Sequence, residues 1–330
     1  MALGWGIIGL GRAADTLWGP ALAADPNSRV VSVVSRDQGR AEAFAAKHGA
    51  VSAGTEFGAM LADPRVDVVL ITTPNALHPD QAVAAAEAGK HIFCDKPLAP
   101  DEAEARRVLE ACSRAGVKIA TGFQSRFHSC FQEAREVIAG GEIGEVVSAQ
   151  VDGSSGTRAW VSWRAEPELA VLGAINNVAV HLYDLLRFLV GDEVTEVAAL
   201  FDTGRRPDLE KLPMVLMRFS KGALAFANGN QATAHPLNDI VVHGSRGRID
   251  GRGITRPMRE GEMRVLSESG ERTRRYSTHD CYERTIASFT LALSEGREPS
   301  PSGLDGLRCV QITDAVARSA REGRTVQIAY

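Results

Sequence analysis

Apolar residues in the first third of the chain alternate between short runs and longer stretches with helical spacing. The short runs, rich in Val and Ile, predict five strands at 5–8, 29–34, 66–72, 90–93 and 118–121. Alanine-rich stretches between them predict amphipathic helices at 38–48, 79–89 and 101–115. Each helix stops at a glycine of the kind that adopts a left-handed end, namely Gly49, Gly89 and Gly116. This βαβ rhythm predicts a doubly wound parallel sheet.

The pattern changes after residue 122. Alternating or apolar runs predict an antiparallel or mixed sheet with strands at 145–152, 194–201, 213–219, 223–229 and 239–243. Helical spacing recurs near 128–140, 175–189, 281–295 and 303–322. We therefore predict an α/β protein with a dinucleotide-binding Rossmann domain at 1–122 and an α+β substrate domain at 123–330. The closing helix is expected to pack back on the first domain.

Composition narrows the classes of partner. With 330 residues, of which 44% are hydrophobic and 24% charged, the chain can bury the cores of two domains. A net charge of −4 gives no reason to expect nucleic acid, and the basic run Arg272–Arg275 is interpreted as a solvated hairpin face. Small molecules are the predicted partners.

Cysteine usage and hydropathy indicate the compartment. Five cysteines form an odd set without a Cys-x-x-Cys pair, which predicts reduced thiols rather than disulfides or a zinc knuckle. No basic region precedes the first apolar run, and no stretch approaches the ~18 apolar residues of a membrane span. We expect a cytoplasmic protein without a membrane partner. His-Glu-x-x-His patterns and carboxylate clusters do not occur, and no metal is predicted.

A glycine-rich loop follows the first predicted strand and opens a helix. Two glycines permit a tight turn and close approach of the backbone to a pyrophosphate, and Ala14 permits close packing of the helix. The helix N-terminus then favours the negative charge of the phosphates. The predicted cofactor contacts of this loop are Gly9, Gly11, Arg12, Ala13 and Ala14.

The end of the second strand bears on the choice between NAD and NADP. An NAD enzyme usually places Asp or Glu there to bind the ribose hydroxyls, whereas this chain has Ser35 and Arg36. Both side chains suit a 2′-phosphate, and Arg40 adds a second cation one turn on. NADP(H) is therefore favoured. The alternative is that both arginines merely solvate the start of a helix, in which case NAD(H) is also used.

The strand at 90–93 leads into Cys94-Asp95-Lys96-Pro97. A lysine at the carboxyl end of a strand in a doubly wound sheet points into the crevice where dinucleotides lie. Lys96 is therefore the candidate proton-transfer residue.

With the glycine loop, Thr72 to His78, Asp95-Lys96-Pro97 and Asn177 to His181 in this order, the chain resembles the Gfo/Idh/MocA oxidoreductases. The pattern is similar to the 1,5-anhydrofructose reductase and dihydrodiol or xylose dehydrogenase members. The resemblance implies sugar or polyol substrates. It also implies a homodimer or homotetramer formed through the open sheet of the second domain. Further cofactor contacts that it implies are Thr73, Pro74, Asn75, His78, Asp95 and Lys96.

Two positions depart from the family pattern, which usually has Glu-Lys-Pro and an aspartate four residues before the histidine. This chain has Asp95 and Asn177 there. Asp95 keeps the charge, and its alternative role is to position the strand end. Asn177 offers only neutral hydrogen bonds, so we expect a lower pKa for Lys96.

Further candidates follow in the second domain. Asn177 and His181 lie one turn apart and are predicted to contact one substrate oxygen, unless His181 is a core histidine. The loop 157–164 resembles a substrate loop, in which Trp163 suits a sugar face and Arg164 suits hydroxyl or carboxylate groups. The alternative for this loop is a structural cover. After the fifth strand, Gln124 is a candidate cofactor contact and Arg126 a candidate substrate contact.

These features together predict an NADP(H)-preferring enzyme that interconverts a secondary alcohol and a ketone on a sugar, cyclitol or related polyol. The predicted catalytic residues are Lys96, His181 and Asn177. One alternative is a non-catalytic cofactor-binding sensor or regulator, of which Asn177 would be the first sign. Another is an enzyme that recycles a bound cofactor during elimination or glycoside cleavage.

Overall fold

The computed structural model describes residues 2–156, 161–202, 209–256, 260–277 and 279–330. Packing divides the chain into two units. The first unit consists of Met1–Phe123 and Tyr282–Val310, and the second of Gln124–Cys281 and Gln311–Tyr330. The predicted boundary differs, because the second domain was expected to include all of 123–330, with only the closing helix packed against the first domain. In the structure, Tyr282–Val310 belongs to the first unit.

The first unit is built on a six-stranded parallel sheet. Its strands are β1 (Leu3–Ile8), β2 (Ser28–Val34), β3 (Ser52–Gly54), β4 (Val68–Ile71), β5 (His91–Cys94) and β6 (Ile119–Thr121). The order β3-β2-β1-β4-β5-β6 is that of a doubly wound fold, and it confirms the predicted class. The short β3 was not predicted, because Ser-Ala-Gly carries no apolar pattern. Because β1, β4 and β5 are parallel neighbours, the loops that follow them lie at the same edge of the sheet.

Five helices accompany these strands: α1 (Gly19–Ala24), α2 (Gln38–His48), α3 (Phe57–Ala62), α4 (His78–Glu87) and α5 (Glu102–Ala115). The three helices predicted from their spacing are confirmed to within one or two residues. Their predicted glycine ends are left-handed, with φ of 70° at Gly49, 72° at Gly89 and 67° at Gly116. Ahead of α1, the helix that follows the glycine loop contains a π-helical turn, Ala14–Trp18.

The second unit contains a nine-stranded mixed sheet. The helices that lie wholly within this unit are α6 (Ser129–Ala139), α7 (Pro167–Ala170) and α8 (Val180–Val190). Its strands are β7 (Val146–Ser154), β8 (Val194–Phe201), β9 (Pro213–Phe219), β10 (Leu224–Asn230), β11 (Ile240–Gly244), β12 (Gly247–Arg252), β13 (Glu260–Ser267), β14 (Gly270–Ser277) and β15 (Val326–Gln327). β10 is parallel to β7 and antiparallel to β9, so the predicted mixed sheet is confirmed.

The sequence did not predict strands β12 to β15, although it predicted that Arg272–Arg275 form the solvated face of a hairpin. β13 pairs with β14, and the run Arg272–Arg275 lies exposed on this hairpin as expected. Two of its arginines form ion pairs, Arg272 with Glu142 and Arg274 with Glu133. β14 has almost no buried position, and a charged, exposed strand gives no alternating apolar signal.

Two helices close the chain, α9 (Cys281–Ser294) and α10 (Gly303–Glu322). Within the first unit, the Phe289 ring lies 5.6 Å from that of Trp5 and 5.4 Å from that of Phe93. Trp18 likewise meets Tyr282 edge-on at 4.8 Å. An aromatic cluster therefore holds α9 in the first unit, because these rings would otherwise expose large apolar faces.

One helical segment in the described part of the chain, Pro167–Val190, is long and apolar enough to cross a membrane, contrary to the expectation from sequence. Of its most apolar window, 72% is buried in the protein, as in a core helix.

All five cysteines are buried free thiols, and burial raises the pKa of Cys112 and of Cys130 to about 12.

Candidate active site

The glycine loop after β1 is held against the end of β4. The Thr72 hydroxyl donates to the Gly9 carbonyl at 2.7 Å. Gly9 has a φ of +91°, and a methyl group there would lie 2.6 Å from the Thr73 nitrogen. At Gly11, by contrast, a methyl group would meet nothing within 4 Å. Gly9 is therefore required by the fold, whereas Gly11 leaves open space where a pyrophosphate fits.

The cations near the end of β2 face solvent. Arg36 and Arg40 are exposed, as is Arg12 in the glycine loop. Asp37 accepts a hydrogen bond from the Arg40 backbone at 2.8 Å and thereby caps α2. The carboxylate nearest this strand end is thus engaged in capping a helix. Ser35 accepts a hydrogen bond from the Asp37 backbone at 3.2 Å.

His78 links the loops after β4 and β5. Its Nδ1 lies 2.7 Å from the Pro97 carbonyl and its Nε2 lies 3.0 Å from the Thr73 carbonyl. The residue is 1% exposed, and burial holds its pKa below the usual value. A neutral ring can donate to only one of the two carbonyls. This placement lets His78 link the two loops, and its predicted cofactor contact stays a prediction.

Lys96 follows β5 at the same edge of the sheet. Its side chain is half-buried, and the peptide bond to Pro97 is cis. The Asp95 carboxylate accepts a hydrogen bond from the Lys96 backbone at 2.9 Å. This hydrogen bond is consistent with the alternative role considered for Asp95, which is to position the end of the strand, and its predicted cofactor contact stays a prediction.

Three predicted residues of the second unit meet at the start of the helix that continues into α8. Asn177 lies in a π-helical turn, Ile175–Ala179, a type of distortion that is frequent at functional sites. Its Nδ2 donates to the Gly173 carbonyl at 3.1 Å, and its Oδ1 accepts from Arg164 Nε at 3.1 Å. The Arg164 guanidinium stacks on Trp163 at 4.2 Å. These contacts fix the direction in which the Asn177 amide points.

His181 lies half-buried in α8, four residues after Asn177. Residues 157–160, the first half of the predicted substrate loop, lie outside the described residues. Gln124 is 3% exposed, and its predicted cofactor contact stays a prediction.

Arg126 is engaged inside the second unit. Its guanidinium donates to both oxygens of Asp184, with Nε to Oδ2 at 2.8 Å and Nη2 to Oδ1 at 2.5 Å. The Phe188 ring lies 5.5 Å from the guanidinium, and Asp184 is fully buried. Removing one partner of a buried bidentate pair of this kind lowers the free energy of unfolding by about 3–5 kcal/mol. These contacts hold Arg126 against α8 and make Asp184 its charge partner, and the predicted substrate contact of Arg126 stays a prediction.

Glu210 was missed by the sequence reasoning. It is 3% exposed and accepts hydrogen bonds from the backbone of Gly173 and Ile175, just before Asn177. Burial raises its pKa, against the opposing effect of these two hydrogen bonds. A single glutamate between strands carries no local signal of such a role, because its partners lie 35 and 37 residues away in the chain.

The described residues contain no group of three or more His, Cys, Asp and Glu side chains that could hold a metal ion.

Comparison with known proteins places these features in a family. Residues 3–123 match the model of an oxidoreductase family with an NAD-binding Rossmann fold, and residues 131–250 match the GFO/IDH/MocA C-terminal domain. The chain is 30% identical to 1,5-anhydro-D-fructose reductase of Ensifer adhaerens, over 98% of each protein. It is also 30% identical to inositol 2-dehydrogenase of Rhizobium meliloti, over the full length of both. The crystal structure of aldose-aldose oxidoreductase from Caulobacter crescentus superimposes with a TM-score of 0.91 at 28% identity, over 99% of this chain and 100% of the other.

Proposed function

Because the chain belongs to the Gfo/Idh/MocA family of NAD(P)-dependent oxidoreductases, we propose that it interconverts a secondary alcohol and a ketone on a sugar, cyclitol or related polyol. One observation in the first unit carries the proposal. The loops after β1, β4 and β5 lie at one edge of the parallel sheet, with open space at Gly11 and Lys96 at the end of β5. Cofactors of doubly wound sheets bind at this edge. The nicotinamide, when bound, supplies or takes up the hydride.

Lys96 is the proton-transfer residue in this proposal. In reduction its ammonium gives a proton to the substrate oxygen as that oxygen gains charge, and in oxidation its amine takes the proton back. His181 polarises the same oxygen, and Asn177 orients the substrate through an amide whose direction Gly173 and Arg164 fix.

The cofactor preference rests on the cations near β2. A 2′-phosphate is recognised best by guanidinium groups, and Arg36 and Arg40 are exposed beside the strand end. The nearest acid, Asp37, is already used as the cap of α2. These observations favour NADP(H) over NAD(H).

The test is a fluorescence titration with NADPH and NADH, followed by assays of nicotinamide absorbance with ketoses, osones, inososes and dihydrodiols. We expect tighter binding of NADPH and turnover of at least one compound. Tight binding without any turnover would instead support the sensor or the recycled-cofactor alternative.

Arg36→Ala, measured in the same titration, tests whether Arg36 binds the 2′-phosphate. A charge-assisted pair is worth about 1.5–3 kcal/mol, so NADPH affinity should fall roughly 10- to 100-fold while NADH affinity stays constant. Arg29→Ala, an exposed arginine near the opposite end of β2, should change neither affinity. An equal loss for both cofactors in Arg36→Ala would contradict the assignment of the 2′-phosphate to this residue.

Self-association is proposed through the outer face of the nine-stranded sheet. Leu216 of β9 is 59% exposed and lies between Ala198 of β8 and Phe226 of β10. Leu200, Met214 and Leu224 on the same strands are also exposed, and Leu200 pairs with Met214 across β8 and β9. Several large apolar side chains exposed on adjacent strands are typical of a protein interface, and a second copy of the chain is the occupant that we propose.

Leu216→Glu should convert the oligomer into monomers, because a buried, unpaired carboxylate opposes closure of an apolar interface. Size-exclusion chromatography with light scattering measures the mass. Val51→Glu is the matched control, since Val51 is 65% exposed and belongs to the first unit rather than to this sheet. A wild-type protein that is monomeric at micromolar concentration would refute the proposed interface.

A further inference from the structure

Three consecutive backbone N–H groups ahead of Asn177 donate to a single residue, Glu210. Gly173 N lies 3.0 Å from Oε2, Ile175 N lies 2.7 Å from Oε1, and Ala174 N lies 2.7 Å from the Glu210 carbonyl. The first N–H groups of a helix have no partner within the helix itself. Glu210 thus satisfies the start of the helical segment that carries Asn177 and His181, although it belongs to a distant part of the chain.

The contacts continue from Glu210 to the Asn177 side chain. The Gly173 carbonyl accepts hydrogen bonds from both the backbone N and the Nδ2 of Asn177, each at 3.1 Å. The backbone of Gly173 therefore connects the Glu210 carboxylate, through its N–H, to the Asn177 amide, through its carbonyl. Displacing Gly173 would rotate or release that amide.

The chain enters this helix through a strained turn. Val171 has a φ of +68°, which is a rare conformation for a β-branched residue. Such strain persists only where the surrounding structure determines the backbone. Two residues later, the three hydrogen bonds to Glu210 provide that determination.

We propose that Glu210 is a positioning residue that sets the orientation of Asn177, and through it the placement of substrate, in the reaction proposed above. The inference rests on that proposed function. It requires no contact between Glu210 and the substrate, because the effect is transmitted through the backbone of Gly173.

The test compares wild type with Glu210→Gln, Asn177→Ala, the double variant and Asp192→Asn. Glutamine has the same shape, but it has only one acceptor oxygen and presents an amide NH₂ to the second backbone N–H. We expect kcat to fall about 10- to 100-fold in Glu210→Gln, with the dissociation constant of NADPH unchanged, as for misplacement of a substrate contact. Asp192, just beyond the end of α8, also accepts a backbone hydrogen bond, from Lys221, and Asp192→Asn should retain the wild-type kcat.

The double variant separates positioning from mere stability. If Glu210 acts through Asn177, the double variant should lose no more kcat than the worse single variant, since both changes remove one coupled effect. Multiplied losses, or a kcat and KM of Glu210→Gln equal to those of wild type, would overturn the proposal. If Glu210→Gln does not fold, Glu210→Asp replaces it, because aspartate keeps the charge on a stem too short to reach both donors.

Amide hydrogen exchange distinguishes failure of this inference from failure of the proposed function. Glu210→Gln should speed exchange at Gly173 and Ile175 whether or not a substrate is known, and unchanged exchange would overturn the capping role. A wild-type protein without turnover on the whole panel would count against the proposed function alone.

Discussion

Replacing Lys96 with alanine is expected to lower kcat by about 10²- to 10⁴-fold, the usual contribution of a positioned acid or base. The affinity for NADPH should stay nearly constant, because the loop that bears Lys96 is held by other groups. Asp95 fixes the Lys96 backbone and His78 lies against the Pro97 carbonyl, independently of the lysine side chain. Stopped-flow or steady-state assays of nicotinamide absorbance measure kcat, and fluorescence titration measures affinity.

Lys96→Arg distinguishes proton transfer from the effect of charge. Arginine keeps the positive charge but does not lose its proton in proteins, so this variant should be nearly as slow as Lys96→Ala. Lys118 precedes β6 in the same unit and forms an ion pair with Glu298. The same two substitutions at Lys118 are the matched controls and should leave kcat unchanged. Full activity in Lys96→Ala, or in Lys96→Arg, would exclude Lys96 as the proton-transfer residue.

The two glycines of the loop after β1 should respond to the same substitution in opposite ways. Gly9→Ala places a methyl group 2.6 Å from backbone atoms at a φ of +91°. Strain and overpacking together cost about 2–4 kcal/mol, which corresponds to a fall of roughly 3–6 °C in Tm for a chain of this length. Thermal unfolding measured by circular dichroism or differential scanning fluorimetry tests this value.

Gly11→Ala should leave Tm unchanged, because its methyl group meets no protein atom within 4 Å. The same methyl group occupies the space through which a pyrophosphate would approach the backbone, so NADPH affinity should fall at least about tenfold. Each variant is thus the control for the other. Unchanged affinity in Gly11→Ala would mean that this loop does not bind the phosphates.

Much of the fold follows from local patterns. The apolar runs that became β1, β2, β4, β5 and β6 are short and predominantly apolar, as expected of strands buried on both faces. Where the pattern was absent, prediction failed, as for the exposed β14. The glycine loop and Lys96 were found because their place at strand ends can be read from neighbouring residues.

The candidate residues of the second unit depend on contacts that local sequence patterns do not reveal. The cluster of Trp163, Arg164 and Asn177 was anticipated as separate candidates, and the structure supplied the contacts that join Arg164 to the other two. Arg126 was a candidate because of its place after the fifth strand, and its pairing with the buried Asp184 could not be predicted because Asp184 is 58 residues away and gives no local signal.

The sequence alone thus determined the class of fold, the glycine loop and the position of Lys96, since each depends on spacing within a few residues. Only the tertiary structure decided that His78 links two loops, that Arg126 pairs with Asp184 and that Glu210 caps the helix of Asn177. The physical reason is that a polar side chain takes its role from the groups that folding brings within hydrogen-bond distance of it. A buried ion pair or a distant cap depends on packing between elements, which no local periodicity records.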